Sequence, residues 1–160
     1  MSGLNNTTYN RSNAEVFEVL LNAVRRTKYD KVLGILRILL GGLFVMTGLM
    51  KLFVPMLGEA WSGQLISANI PFYAFNVRAI PLVEVTVGLL LILGLFSRVG
   101  ALIVISMMLV ATYVHLVVDN PALFPLQPKE PVIPLIAIAV AAYVLWRGGG
   151  AWSLDLKASN

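Results

Sequence analysis

Four long apolar runs, each almost free of charge, constrain this chain more than anything else in it. They extend over Leu33 to Phe53, Ile80 to Phe96, Val99 to Val118 and Val132 to Trp146. A helix that crosses a bilayer needs about 20 such residues. Inside the runs the charged or imidazole side chains are Arg37, Lys51, Glu84 and His115. Helices of a water-soluble bundle would each carry a polar outer face, and none is visible here. Charged residues make up 12% of the 160, against about 25% in soluble domains. The sequence therefore predicts an all-α integral membrane protein, an antiparallel four-helix bundle over residues 32–157. Its spans are expected at about 33–53, 80–96, 99–118 and 132–147. The last is short, and Arg147 can extend its reach by snorkelling.

Residues 1–31 form a separate region. A polar stretch over 1–11 leads to Ser12-Asn13-Ala14-Glu15, which reads as a capping box. Val16, Phe17, Leu20, Leu21 and Val24 follow at helical spacing, and then the basic cluster Arg25, Arg26, Lys28 and Lys31. This predicts an N-terminal amphipathic interfacial helix on the cytoplasmic side; a helix packed on another subunit fits the same pattern. The segment from Val54 to Ala79 mixes Pro55, Gly58, Trp61, Pro71 and Phe72, which suits an interfacial loop with one short helix.

Charge placement sets the expected orientation. Arg11, Arg25, Arg26, Lys28, Lys31, Arg98, Arg147 and Lys157 fall on one side, which the positive-inside rule makes cytoplasmic. Both termini are then cytoplasmic, in a multi-pass protein of the cell membrane. The net charge of +4 is explained by cations flanking the spans and facing anionic lipid, not by nucleic-acid binding. With no cysteine and one histidine, thiolate chemistry, iron–sulfur ligation and a multi-histidine metal centre are excluded within this chain.

Depth brings three ionisable groups together. Span one runs outward, so Lys51 lies roughly 21 Å above Arg37 at 1.5 Å per residue. Span two runs inward and puts Glu84 about 6 Å below its outer start. Span three runs outward and ends near His115. Lys51, Glu84 and His115 thus share the outer level, and Arg37 lies near the inner surface, contacting phosphates or capping carbonyls. A carboxylate in hydrocarbon is costly unless neutralised or paired. Lys51 is its natural partner, and the pair either pins spans one and two, lines a polar pocket, or meets another subunit. Gly34, Gly41 and Gly48 recur every seven residues on the face that carries Arg37 and Lys51, a spacing suited to close helix packing in lipid.

Leu36-Arg37-Ile38-Leu39-Leu40-Gly41, Gly48-Leu49-Met50-Lys51-Leu52, the stretch from Glu84 through Gly88 and Gly94 to Arg98, and the closing Gly148-Gly149-Gly150-Ala151-Trp152-Ser153-Leu154-Asp155 occur in that order. In order and spacing the chain resembles the DoxX family of small four-helix membrane proteins, over roughly Leu33 to Leu156. The resemblance implies a place in membrane redox machinery, such as thiosulfate:quinone oxidoreductases and terminal quinol oxidases. It also implies that the family's polar positions fall on Arg37, Lys51 and Glu84.

The resulting expectation is an accessory, non-catalytic subunit of a membrane oxidoreductase complex. Glu84, Lys51, His115 and Arg37 would form its polar interior, with quinone as the candidate ligand, no covalent cofactor and no metal. Expected partners are the lipid bilayer and other membrane subunits of a redox complex. A quinone-reactive enzyme in its own right, and an assembly factor for another membrane protein, are the alternatives.

Overall fold

The computed structural model describes residues 15–158. Among them the regular elements are all helices: residues 15–25 (α1), α2 (Lys31–Phe53), α3 (Pro55–Ser67), α4 (Tyr73–Leu93), α5 (Ser97–Val117), a 3-10 turn (Pro121–Leu123), α6 (Val132–Arg147) and α7 (Leu154–Ala158). The polar stretch over 1–11 and the capping role of Ser12 lie outside the described residues. Helices α2, α4 and α5 are long and apolar enough to cross a membrane. Helix α6 is as apolar but has 16 residues, so it is about 24 Å long beside a hydrocarbon core of about 30 Å.

Helix α2 starts where Asp30 accepts a hydrogen bond from the Leu33 N–H at 3.0 Å, a side-chain cap on an otherwise orphaned donor. It stops at Val54, and Pro55, fixed in φ and lacking an N–H, opens α3 at once. Helix α4 begins at Tyr73, well before the apolar run at Ile80, and ends at Leu93 rather than Phe96. Apolar content does not set either boundary. The Asn76 amide donates to the Pro71 carbonyl at 2.7 Å just ahead of the helix, and Pro81 is held inside it. At the other end Gly94 adopts φ 65 while the Leu95 N–H returns to the Leu90 carbonyl at 3.0 Å. That reversal needs a left-handed residue, which glycine supplies without steric cost.

The helices form a closed ring of contacts. Helix α2 packs most extensively on α4, and α5 on α6, with lesser seams between α4 and α5 and between α2 and α6. The α2–α4 seam is a backbone contact. A Cβ on Gly41 would stand 2.7 Å from the Gly88 carbonyl oxygen, and one on Gly88 would stand 2.6 Å from that of Gly41. Any side chain at either position would separate the helices. Leu40, Phe44, Val87, Leu91, Val104, Ala141 and Val144 fill the centre.

Outward, the helices expose Leu39, Leu82, Leu102, Leu109, Leu116 and Ile136. An apolar coat of this extent calls for lipid or another protein as its neighbour. The chain beyond α6 then folds back beneath the ring through Gly148 and Gly150, and buries Ser153 and Asp155.

Candidate functional site

The close approach of α2 and α4 creates the first half of the site. A Cβ on Gly48 would meet the Pro81 carbonyl at 2.7 Å and the Glu84 Cβ at 3.0 Å, so Glu84 sits directly against the α2 backbone. Lys51, nearly one turn further on, reaches across, and its Nζ lies 2.5 Å from Glu84 Oε1. The Glu84 side chain is 4% exposed and that of Lys51 21%. Helix α3 supplies the cover. It doubles back so tightly that a Cβ on Gly58 would stand 2.9 Å from the Lys51 carbonyl, and it lays Trp61 against the ammonium, 4.4 Å from Nζ to the ring centroid. An ammonium on an indole face is a favourable electrostatic contact.

Two valences are left open in this cluster. Glu84 Oε2 and Trp61 Nε1 are both buried without a hydrogen-bond partner. An ionised carboxylate oxygen only accepts and an indole N–H only donates. Together with the Lys51 charge they suit a small head group that carries oxygen functions. Trp61 is the member of this cluster that sequence reasoning missed, since a tryptophan among turn residues reads as an interfacial anchor; its spacing of ten from Lys51 becomes informative only once α3 is known to fold back.

His115 lies elsewhere. Its Nδ1 is 2.6 Å from the Lys129 carbonyl oxygen, and its ring packs on Phe124 at a centroid distance of 4.4 Å. Around it Ala68, Val114, Val118 and Phe124 form a second, smaller core. Among the described residues it has no hydrogen bond or ion pair with Lys51 or Glu84. Its role is to hold the proline-rich loop before α6, which Lys129 and Asp119 also clasp at 2.8 Å. The hydrogen bond from Lys129, reinforced by its charge, keeps the Asp119 carboxyl below the ordinary aspartate range.

Arg37 is likewise separate from the pair. It is completely buried at the opposite end of α2. Its Nε donates to the Gly149 carbonyl at 2.6 Å, Nη1 to those of Leu91 and Ile92, and Nη2 to that of Ala151 at 3.3 Å. Of the two contacts anticipated for it, the structure has carbonyls. Apart from Glu84 and Lys51, the guanidinium closes the C-terminal end of α4 and holds the returning segment in place.

Asp155 completes that lock, accepting from the Phe96 N–H at 2.9 Å and the Ser97 N–H at 2.8 Å at the start of α5. Asp30 belongs to the same end, with the Tyr143 hydroxyl donating to it at 3.1 Å and Arg147 forming an ion pair with it at 3.5 Å. The Leu33 N–H bond first, then the contacts of Tyr143 and Arg147, hold its carboxyl below the ordinary value against the opposing effect of burial.

An open apolar groove between α2 and α6, lined by Leu36, Leu39, Leu43, Ile133, Ile136 and Val140, includes neither Lys51 nor Glu84. In comparisons with known proteins, a family model described as DoxX matches residues 32–116. The matched stretch runs from α2 into α5 and so contains Arg37, Lys51, Trp61, Glu84 and His115. No curated protein and no solved structure matches the chain.

Proposed function

The chain belongs to the DoxX family, and from that premise we propose that it is an accessory subunit of a membrane oxidoreductase complex, with a quinone head group held non-covalently at Lys51, Glu84 and Trp61. The observation that carries this reading is the unpartnered Oε2 of Glu84, a buried carboxylate oxygen beside a buried ion pair. Leaving such an oxygen unbonded costs more than leaving a neutral group so, and a hydroxyl or polarised head group would satisfy it. Lys51 would supply a positive charge beside the bound head group. The cluster holds no nucleophile–base pair or other reactive constellation, which favours a binding subunit over an enzyme.

In this reading α2, α4, α5 and α6 all cross the bilayer, α6 with help from Arg147 at its end. Arg25, Arg26, Lys28, Lys31, Arg98 and Arg147 mark the cytoplasmic side, and α1 lies beside them. The Lys51–Glu84 pair is then near the outer face, and the exposed apolar coat has room for larger subunits as well as lipid.

The test is gentle extraction from native membranes, followed by measurement of bound quinone and identification of co-migrating subunits. Wild-type protein should retain quinone together with redox subunits, and Glu84→Gln should lose most of the quinone. Undiminished quinone in that variant would remove the site. Recovery of the intact protein without any redox subunit would remove the accessory role.

A further inference from the structure

One end of the molecule carries a cluster of cations that the proposed quinone site does not use. The Arg98 guanidinium donates to the carbonyls of Arg26, Leu145 and Trp146 at 3.0 to 3.2 Å, which ties α5 to the exits of α1 and α6. The Lys28 N–H donates to the Arg147 carbonyl at 3.3 Å, and the Gly149 N–H to the Thr27 hydroxyl at 3.1 Å. Arg25 lies over the Phe96 ring, 4.8 Å from its centroid. The exit of α1 is therefore fixed to the ring of helices, and its basic residues occupy a defined corner.

Within that corner Arg26, Lys28 and Lys31 are exposed. None of the three is in an ion pair among the described residues. The nearby Asp30 is already engaged by Leu33, Tyr143 and Arg147, and buried Asp155 by Phe96 and Ser97. The corner is thus strongly positive. Beside it, α1 exposes Val16, Phe17, Val19 and Leu20; Glu15 borders the groove lined by Val16, Val19 and Leu20, and Glu18 and Asn22 lie further round the helix at a spacing of four. Trp146, Tyr29 and Trp152 are also exposed at this end, as aromatic residues are at a lipid–water boundary.

We propose that α1 and this corner form a docking surface for anionic phospholipid, with head-group phosphates on Arg26, Lys28 and Lys31 and the Val16, Val19 and Leu20 face sunk among the acyl chains. Charge complementarity selects lipid as the occupant: bare cations border an apolar face at the same level as exposed tryptophans. A protein partner covering α1 would have to neutralise three cations as well as bury the apolar stripe. Each cation close to an acidic leaflet contributes about 1 kcal/mol, so three shift the docked-to-undocked ratio of α1 by on the order of a hundredfold.

The absence of cysteine from the sequence allows a clean reporter. Val19→Cys, on the exposed side of α1, is labelled with an environment-sensitive fluorophore, and the full chain is reconstituted into vesicles. The label should be blue-shifted and shielded from aqueous quencher in phosphatidylcholine mixed with phosphatidylglycerol. In phosphatidylcholine alone, or with Arg26→Gln, Lys28→Gln and Lys31→Gln combined, it should be accessible, and high salt should partly release it. A melting temperature for the triple variant equal to the parent's would show that only docking is lost. Equal shielding in both lipid mixtures would overturn the proposal. So would shielding that inorganic phosphate restores in neutral vesicles, or shielding that occurs only in native membranes.

Discussion

Removing the Lys51 ammonium while leaving its partner in place tests the centre of the site most directly. Lys51→Met keeps an unbranched stem beneath Trp61 and deletes the charge 2.5 Å from Glu84 Oε1. With its side chain 4% exposed and Oε2 already unpartnered, the carboxylate would then have neither water nor counter-ion. Breaking a buried pair from one side costs about 3–5 kcal/mol. A loss of that size is roughly 10 °C in melting temperature for a chain of this size. Glu84→Gln should cost less, about 1–2 kcal/mol, because Lys51 is 21% exposed and can turn toward water. The double variant strands no charge and should recover to within about 1 kcal/mol of wild type. Helical ellipticity followed on heating in detergent, for the wild type and the three variants, gives the full cycle. A Lys51→Met loss below about 1 kcal/mol, or a double variant as unstable as that single, would refute the reasoning.

Gly88→Leu should open the α2–α4 seam and lower the melting temperature sharply, with a loss of at least about 2 kcal/mol, because its first added carbon would lie 2.6 Å from the Gly41 carbonyl. Gly42→Leu is the control: nothing lies within 4 Å of that position, and its melting temperature should be unchanged in the same assay. Asp30 predicts a pH signature. Its carboxyl is held low in the folded protein, so its stabilising contribution is present above the ordinary aspartate range and is lost as the pH falls through the lowered value. Melting temperature measured against pH should show Asp30→Asn below wild type at neutral pH, with the two curves meeting in acid.

The membrane-type helices and the residues inside them were legible because burial in lipid leaves a compositional mark that needs no knowledge of partners. The Lys51–Glu84 pairing followed from the same logic, since helix rise converts position into depth. Depth alone does not fix azimuth, however. His115, expected at the level of the pair, turns to the Lys129 carbonyl, a contact written in a loop and not in any periodicity. The start of α4 was missed because Asn76 and Arg78 break the apolar pattern while leaving the backbone free to stay helical. Trp61 and Asp155 were hidden for a different reason. Each acts through a chain reversal, by α3 over Lys51 and by the closing segment under Arg37, and reversals depend on backbone conformations that composition does not specify.

The two buried ionic centres differ in one respect that separates architecture from candidate function. At the Arg37 end each guanidinium nitrogen has a carbonyl, and both oxygens of Asp155 have a backbone N–H. Around them the Ser97 hydroxyl, Arg25 Nε and Arg147 Nε are unpartnered, but the hydroxyl is neutral, Arg147 keeps its ion pair with Asp30 and Arg25 lies over the Phe96 ring. Arg37 and Asp155 themselves gain nothing from a ligand and hold helices together. At the Lys51 end the ion pair satisfies one carboxylate oxygen and leaves the other bare, with an unpaired indole N–H in the same cluster. A fold selected only to pin α2 to α4 could do so with more glycine contacts such as Gly41–Gly88, without burying an acid. The incompletely satisfied carboxylate is a cost that the proposed head group would remove.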